Sequence, residues 1–426
     1  MFGSGLGIKI AKNTFYQLIG KVISMSITVL IVLIITRSYG REGYGSFSLM
    51  QTWPALFFVI VDFGINAIAT RELSKDWSKV SEYLGSILLI RIVFSFAIIV
   101  LLALSLMFFP YSVWLREGII LSLFLILTQA LFASTNIIFQ VKLRYDLSVI
   151  GYLLGYLVIL ILSLYLSFIK ADVRLVSFTY VIGGIITFVT NMVFIRRMGI
   201  KINLKYNKQI IKYLLWSSLP LGLMFVFSQI NFKADSILLS VLKLPIKYGL
   251  NNIESVGVYS LPYKVFEVAL VVPTFLMNSV FPVMVNKMNK SIDDMKGLFI
   301  KSLKSLILVS ILGSVLGIVF APWIIEILGG VEFTQSILVL KILFAGLIFY
   351  YMTQPFAWLL VTLDSQKYLP LIYLISAVFN VLANWYFIPR YSFFASSVIT
   401  AVSEFLILLM LVFTVQKVLH TKYAKN

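Results

Sequence analysis

The chain consists of long apolar runs separated by short polar segments. Runs bounded by charged or turn-forming residues extend over about 15–36, 44–69, 83–108, 118–140, 147–169, 175–195, 214–242, 256–284, 303–321, 335–361, 368–388 and 393–416. A continuous apolar run of about 18 residues or more is long enough to cross the hydrocarbon core of a membrane as a helix. The runs lack the alternation that is typical of a membrane β-barrel. The pattern therefore predicts an all-α membrane protein with about 12 transmembrane helices.

The two halves of the chain resemble each other at a fixed offset. When the sequence is shifted by 212 residues, 14 of 52 aligned positions are identical without a gap. The identities are Phe15/Phe227, Gln17/Gln229, Lys21/Lys233, Ser24/Ser236, Val29/Val241, Leu30/Leu242, Ile34/Ile246, Glu42/Glu254, Gly45/Gly257, Ser48/Ser260, Leu49/Leu261, Val59/Val271, Phe63/Phe275 and Asn66/Asn278. Chance explains matches of Val, Leu and Ile between apolar segments, but it does not explain the matches of Gln, Lys, Glu, Gly and Asn.

The repeat predicts the domain organisation. Six helices would lie in residues 1–195 and six in residues 214–426, with a basic cytoplasmic linker at 196–213. Because six is an even number, the second half enters the membrane in the same orientation as the first. We therefore expect two parallel six-helix bundles related by a pseudo-twofold axis along the membrane normal.

Lysine and arginine are distributed unequally between the two sets of connecting segments. The set that includes both termini holds 22 of them, and the opposite set holds 8. Positive residues favour the cytoplasmic side, so both termini are predicted to be cytoplasmic. The net charge of +18 could also suggest nucleic acid as a partner. Nucleic-acid binding requires basic residues on a folded soluble face, whereas here they lie in short loops, and the topological origin is favoured.

Composition excludes several kinds of chemistry. Only 12% of the residues are charged, about half the share found in soluble domains. Cysteine is absent, and the only histidine is His420 in the polar C-terminal tail, so no metal, cofactor or catalytic site is predicted. A membrane enzyme acting at the outer face would need a sizeable external loop with acid–base groups. The external connections here are short and contain no histidine.

Short motifs occur near the ends of several runs. They are Gly-Arg-Glu-Gly-Tyr-Gly-Ser-Phe-Ser-Leu at 40–49, Asp62-Phe63-Gly64-Ile65, Lys233-Ala-Asp235, Glu254-Ser-Val-Gly-Val-Tyr-Ser260, Asn380 and Pro389-Arg390-Tyr391. These motifs resemble the polysaccharide-transporter family of oligosaccharide flippases (Wzx-like), which shares a superfamily with the MATE exporters and the lipid II flippases. The resemblance covers nearly the whole chain. It departs after Tyr391, where the family usually has a Gly-containing turn and this chain has Ser392-Phe393-Phe394-Ala395.

The resemblance implies a MATE-like fold in the bacterial cytoplasmic (inner) membrane. The substrate would be an oligosaccharide unit linked to undecaprenyl diphosphate, moved to the outer leaflet for O-antigen, lipopolysaccharide or capsule biosynthesis. Other polysaccharide-assembly membrane proteins would be possible partners, besides the membrane lipids. An ion-coupled exporter of small molecules is the alternative on the same fold. Five cations within the spans slightly outnumber four clear acids, which favours an anionic cargo.

A polar stripe on the first helix recurs on the seventh. Gln17, Lys21 and Ser24 are spaced i, i+4 and i+7 and share one helix face. Gln229, Lys233 and Ser236 occupy the equivalent positions of the repeat. Two ammonium groups would suit a diphosphate, with the Gln amides supplying neutral hydrogen bonds. The alternative is that Lys21, close to its helix end, extends to the cytoplasmic headgroups.

Other ionisable residues within the spans have competing interpretations. Arg91 and Asp62 lie at equal depth, which favours a structural ion pair over Arg91 as a free phosphate ligand. Lys264 either binds substrate or pairs with Glu267, three residues further along the same helix.

The remaining carboxylates are candidates for ion coupling. Glu404 lies near the middle of helix twelve, and Asp235 lies two residues from Lys233 on another face of its helix. Together with Asp62, they are candidates to carry a coupling proton or Na⁺, and the alternative is that each caps a network of hydroxyl groups.

Overall fold

The fold is built from helices, and the part of the chain described below contains no strand. The computed structural model describes residues 4–202, 204, 206–288 and 290–423. Residues 203 and 205 of the predicted linker and both chain ends lie outside the described residues. The helices are α1 (Ser4–Asp62), α2 (Ile65–Lys75), α3 (Val80–Ser105), α4 (Val113–Val141), α5 (Tyr145–Phe168), α6 (Val173–Arg197), α7 (Lys208–Val241), α8 (Asn252–Ala269), α9 (Val271–Met288), α10 (Ile292–Leu328), α11 (Ser336–Ala345), α12 (Leu347–Thr362), α13 (Leu369–Tyr391) and α14 (Phe393–Tyr423).

The helices are those of a multi-pass membrane protein. Eleven continuous segments within the described residues are long and apolar enough to cross a membrane. The first, Lys12–Lys75, has 64 residues, more than twice the roughly 20 residues that one crossing needs. It is interrupted at Gly40, whose backbone has φ 64° and ψ −166°, a conformation that is open essentially only to glycine. Counting this segment twice gives twelve crossings, close to the predicted number.

The chain divides into two compact units, and the division falls inside a helix. The N-terminal unit comprises residues 1–226 and the C-terminal unit residues 227–426, so the boundary lies within α7. This position is later in the chain than the predicted linker at 196–213.

Contacts of the first half of α7 explain this difference. Leu214 is buried in one core cluster with Ile65 of α2 and Leu84 of α3. The hydroxyl of Tyr213 donates to Glu72 at 3.0 Å. These contacts attach the first half of α7 to the N-terminal unit, because apolar burial holds it there whatever the position of the sequence repeat.

The predicted eighth span is divided at Leu270 into α8 and α9. Pro273 follows three residues later and has no N–H to donate to the carbonyl of Ala269 one turn before it. The hydroxyl of Tyr351 donates to that carbonyl instead, at 2.8 Å. The helix is therefore interrupted where a side chain from α12 replaces the missing backbone hydrogen bond.

The turn between α13 and α14 is made by Ser392. Its φ of 51° and ψ of −138° lie in a region that favours glycine. Its buried hydroxyl has no hydrogen-bond partner among the described residues. The turn is thus present although this chain lacks the glycine of the family motif. Ser392 adopts the strained backbone conformation in its place.

Replacing Ser392 with glycine is expected to stabilise the protein. The strain relieved is about 1–2 kcal/mol, and the added freedom of the unfolded chain offsets about half of it. We expect a net gain of about 0.5–1 kcal/mol, measured by thermal unfolding in detergent. Ser392→Ala, which keeps the strain, is the control, and an equal gain from both variants would contradict the explanation.

Candidate functional site

In the N-terminal unit, a break between α1 and α2 is held by a buried arginine. Phe63 and Gly64 both have positive φ, at 41° and 72°. Asp62 and Asn66 flank the break, and both accept hydrogen bonds from Nη2 of Arg91, at 2.6 and 3.1 Å. The guanidinium thus ties together the two helix ends.

The other side of this guanidinium contacts α4. Nη1 of Arg91 donates to the hydroxyl of Ser134 at 2.9 Å and to the carbonyl of Ala130 at 3.3 Å. Arg91 is fully buried, whereas Asp62 is 18% exposed. The predicted ion pair is present, and we assign both residues a structural role. We therefore propose neither a diphosphate at Arg91 nor a coupling ion at Asp62.

The polar stripe of the first helix faces α5. Ser24 is buried, and its hydroxyl, which donates to the carbonyl of Lys21 at 2.9 Å, lies near Tyr152 of α5. One turn further along α1, the hydroxyl of Thr28 donates to the carbonyl of Ser24 at 2.8 Å and lies near Tyr156. Lys21 is exposed and lies near Tyr152, while Gln17 is half-buried. The same unit contains a cavity of about 400 Å³, and both tyrosines belong to its wall.

In the C-terminal unit, two lysines share one carboxylate. Nζ of Lys233 lies 2.8 Å from Oε1 of Glu267, and Nζ of Lys264 lies 2.7 Å from Oε2. The Lys233 ammonium is also 5.6 Å from the centre of the Tyr263 ring, within the range of a cation–π contact. The i, i+3 pairing of Lys264 is confirmed. The partnership of Lys233 with Glu267, on a different helix, was not predicted.

Asp235 lies at the centre of a buried set of hydroxyl groups. Its Oδ2 accepts hydrogen bonds from the hydroxyls of Tyr259 and Thr400, the latter at 3.3 Å. Its Oδ1 accepts from the backbone N–H of Ser236 at 2.7 Å. The carboxylate is completely buried, so its charge is balanced by polar contacts from α7, α8 and α14.

Glu404 lies one turn beyond Thr400 on α14, and it is 8% exposed. The hydroxyl of Thr353, in α12, donates to its Oε1. Next to it, the Ser403 hydroxyl accepts from the amide of Asn380 at 3.1 Å. Glu404 and Asp235 therefore belong to neighbouring parts of one polar region, as α14 contributes Thr400, Ser403 and Glu404 to it.

Gln229, the repeat equivalent of Gln17, is half-buried on α7.

Within the described residues, no group of three or more His, Cys, Asp or Glu side chains is arranged to hold a metal ion. The candidate functional groups of the C-terminal unit are therefore two single carboxylates, each hydrogen-bonded to hydroxyl groups, and one pair of lysines.

A family model described as polysaccharide biosynthesis protein matches residues 10–288 of this chain. No curated protein sequence matches it. An inward-facing multidrug resistance MATE family transporter of the MOP superfamily superposes with a TM-score of 0.74 at 11% identity, over 94% of this chain and 96% of the other. The lipid II flippase MurJ, in an inward closed conformation, superposes with a TM-score of 0.74 at 16% identity, over 94% and 87%.

A mutant form of the Vibrio cholerae MATE transporter VcmN superposes with a TM-score of 0.66 at 16% identity, over 99% of this chain and 98% of the other. These structures share the fold of this chain, and the prediction of a MATE-like fold is confirmed. They are described as transporters or flippases and not as enzymes.

Proposed function

Since this chain belongs to the family of polysaccharide biosynthesis proteins, we propose that it is a flippase for lipid-linked oligosaccharide. It would move undecaprenyl-diphosphate-linked units from the cytoplasmic to the outer leaflet of the bacterial inner membrane by alternating access. The product would serve a surface polysaccharide such as O-antigen or capsule. Both termini would be cytoplasmic, as the distribution of lysine and arginine predicts.

The observation that carries this proposal is the lysine pair on Glu267. Two ammonium groups share a single carboxylate, so the cluster has a net positive charge. The side chain of Lys264 is 40% exposed, so part of it is accessible to a ligand. Ammonium groups bind phosphate oxygens through short, charge-assisted hydrogen bonds. A diphosphate arriving here would replace Glu267 as the partner of both lysines.

The sequence repeat supports further candidate residues for binding a diphosphate. Lys21 supplies an exposed ammonium in the N-terminal unit, at the position equivalent to Lys233. Gln17 and Gln229 would donate neutral hydrogen bonds one turn before each lysine.

We assign ion coupling to Asp235 and Glu404. Burying a carboxylate within a membrane span is costly, so such a group is by default a functional candidate. Each receives hydroxyl hydrogen bonds from a different helix, so neutralising its charge would alter contacts between helices. A proton or Na⁺ could neutralise either carboxylate.

Translocation in proteoliposomes tests the proposal. A labelled undecaprenyl-diphosphate-linked oligosaccharide should move between leaflets only when the protein is present, and faster under a proton or sodium gradient. Glu404→Gln and Asp235→Asn should slow this movement and flatten its dependence on the gradient. Export of a small organic cation such as tetraethylammonium, without lipid translocation, would instead establish the exporter. Full gradient dependence in both variants would make the two carboxylates structural.

A further inference from the structure

The cavity of the N-terminal unit has a wall of aromatic rings and uncharged polar groups. It lies between α1, α2, α4, α5 and α6, and its volume of about 400 Å³ falls in the range of small-molecule sites. The part of the wall that matters here consists of Phe58, Phe132, Tyr152, Tyr156, Gln129 and Asn136. Phe132 and Tyr152 are stacked at 5.9 Å, and together they form a broad aromatic face.

The cavity carries no unbalanced charge. Of the described residues in its wall, only Asp62 is an acid or a base other than tyrosine, and its carboxylate pairs with Arg91 at 2.6 Å. Lys21 lies near Tyr152 but is not part of the wall. A phosphate would require an unpaired cation, which the wall lacks, and an organic cation would meet only the faces of the aromatic rings, with no unpaired carboxylate to neutralise its charge. The wall therefore suits a neutral ligand.

Two amide side chains on α4 are placed to bind such a ligand. Gln129 and Asn136 are seven residues apart, which puts them on the same face of the helix. The Oδ1 atom of Asn136 accepts a hydrogen bond from Ser148 at 2.7 Å, which orients the amide and leaves its NH₂ group as a donor. Within the described part of the chain, no protein partner is seen for the Gln129 amide, which has both donors and an acceptor.

We propose that this cavity binds a neutral pyranose ring of the glycan. The proposal rests on the proposed function and narrows its substrate to units that carry an uncharged sugar. Sugar hydroxyls would pair with the amides of Gln129 and Asn136. The C–H face of the ring would pack on the aromatic rings, whose faces carry negative potential.

Saturation-transfer NMR on the full-length protein in detergent micelles tests this site. The probes are the methyl glycosides of glucose, galactose, N-acetylglucosamine and rhamnose. At least one should bind, with a dissociation constant raised about tenfold by Gln129→Leu or by Phe58→Leu. Gln140→Leu is the matched control, because Gln140 lies on the same helix, is exposed, bonds to Thr70 at 3.2 Å and is outside the wall. The Gln140→Leu variant should bind the glycosides with the same dissociation constant as the wild type.

Absence of transfer to all four glycosides, or unchanged affinity in both cavity variants, would overturn the sugar site. Displacement of the glycoside by equimolar tetraethylammonium or pyrophosphate would do the same, since it would show a charged ligand. Undecaprenyl diphosphate without sugar serves as a separate probe. If its binding still depends on Lys233 and Lys264 when the glycosides fail to bind, the proposed flippase function stands and only the sugar site is lost.

Discussion

Replacing both Lys233 and Lys264 with methionine is expected to lower the affinity for undecaprenyl diphosphate at least a hundredfold and to stop translocation. Methionine keeps the apolar stem and removes the ammonium. Each charged hydrogen bond contributes about 1.5–3 kcal/mol, which is roughly ten- to a hundredfold in affinity. Replacing both with arginine, which preserves the charge, should retain much of the function. Binding of a fluorescent undecaprenyl diphosphate and complementation of a flippase-deficient strain measure the two effects.

The matched variants separate loss of binding from loss of folding. The double methionine variant leaves the Glu267 carboxylate unpaired within the membrane, which is itself destabilising. Adding Glu267→Gln removes that charge, so the triple variant should reach the membrane in normal amount and remain inactive. Glu267→Gln alone should tighten binding, because the carboxylate no longer competes with phosphate for the lysines.

Lys341 provides the control for removing a lysine from a span. It lies in α11, outside the lysine pair, and Lys341→Met should transport almost normally. Normal polysaccharide output from the triple variant, at normal protein level, would contradict the assignment of the diphosphate to Lys233 and Lys264.

The helices could be predicted from the sequence because hydropathy alone decides which segments enter a membrane. The observed α5, Tyr145–Phe168, differs from the predicted span of 147–169 by two residues at one end and one at the other. The break at Asp62 was not predicted. A window of apolar residues averages over Leu270 and over the break at Asp62, since each occupies only a few positions in an otherwise apolar run.

Ion pairs were predictable only where the sequence specifies relative position. Arg91 and Asp62 could be paired because they were expected at the same depth in the membrane. Lys264 and Glu267 could be paired because they are three residues apart on one helix. The contact between Lys233 and Glu267 depends on how α7 and α8 are rotated about their axes. Hydropathy leaves that rotation undetermined in a helix that is apolar on all sides. The hydroxyl partners of Asp235 come from two other helices, α8 and α14, and were not predictable for the same reason.

Removing the Arg91 side chain is expected to be the most destabilising single change considered for this protein. Arg91→Met leaves Asp62 without its counter-charge and removes the links between the broken helix and α4. Losing one partner of a buried ion pair costs about 3–5 kcal/mol. Replacing both residues, as Arg91→Met with Asp62→Leu, removes the uncompensated charge and should cost less than Arg91→Met alone.

Unfolding in mixed detergent micelles, followed as a function of denaturant, measures these free energies. Arg144→Met is the control, because its pair with Asp146, at 2.9 Å, is exposed and such pairs contribute at most about 1 kcal/mol. A structural role predicts that transport by Arg91→Met falls in proportion to the folded protein. If Arg91→Met instead unfolds at the same denaturant concentration as the wild type and still loses transport, Arg91 acts on the substrate and the structural assignment is wrong.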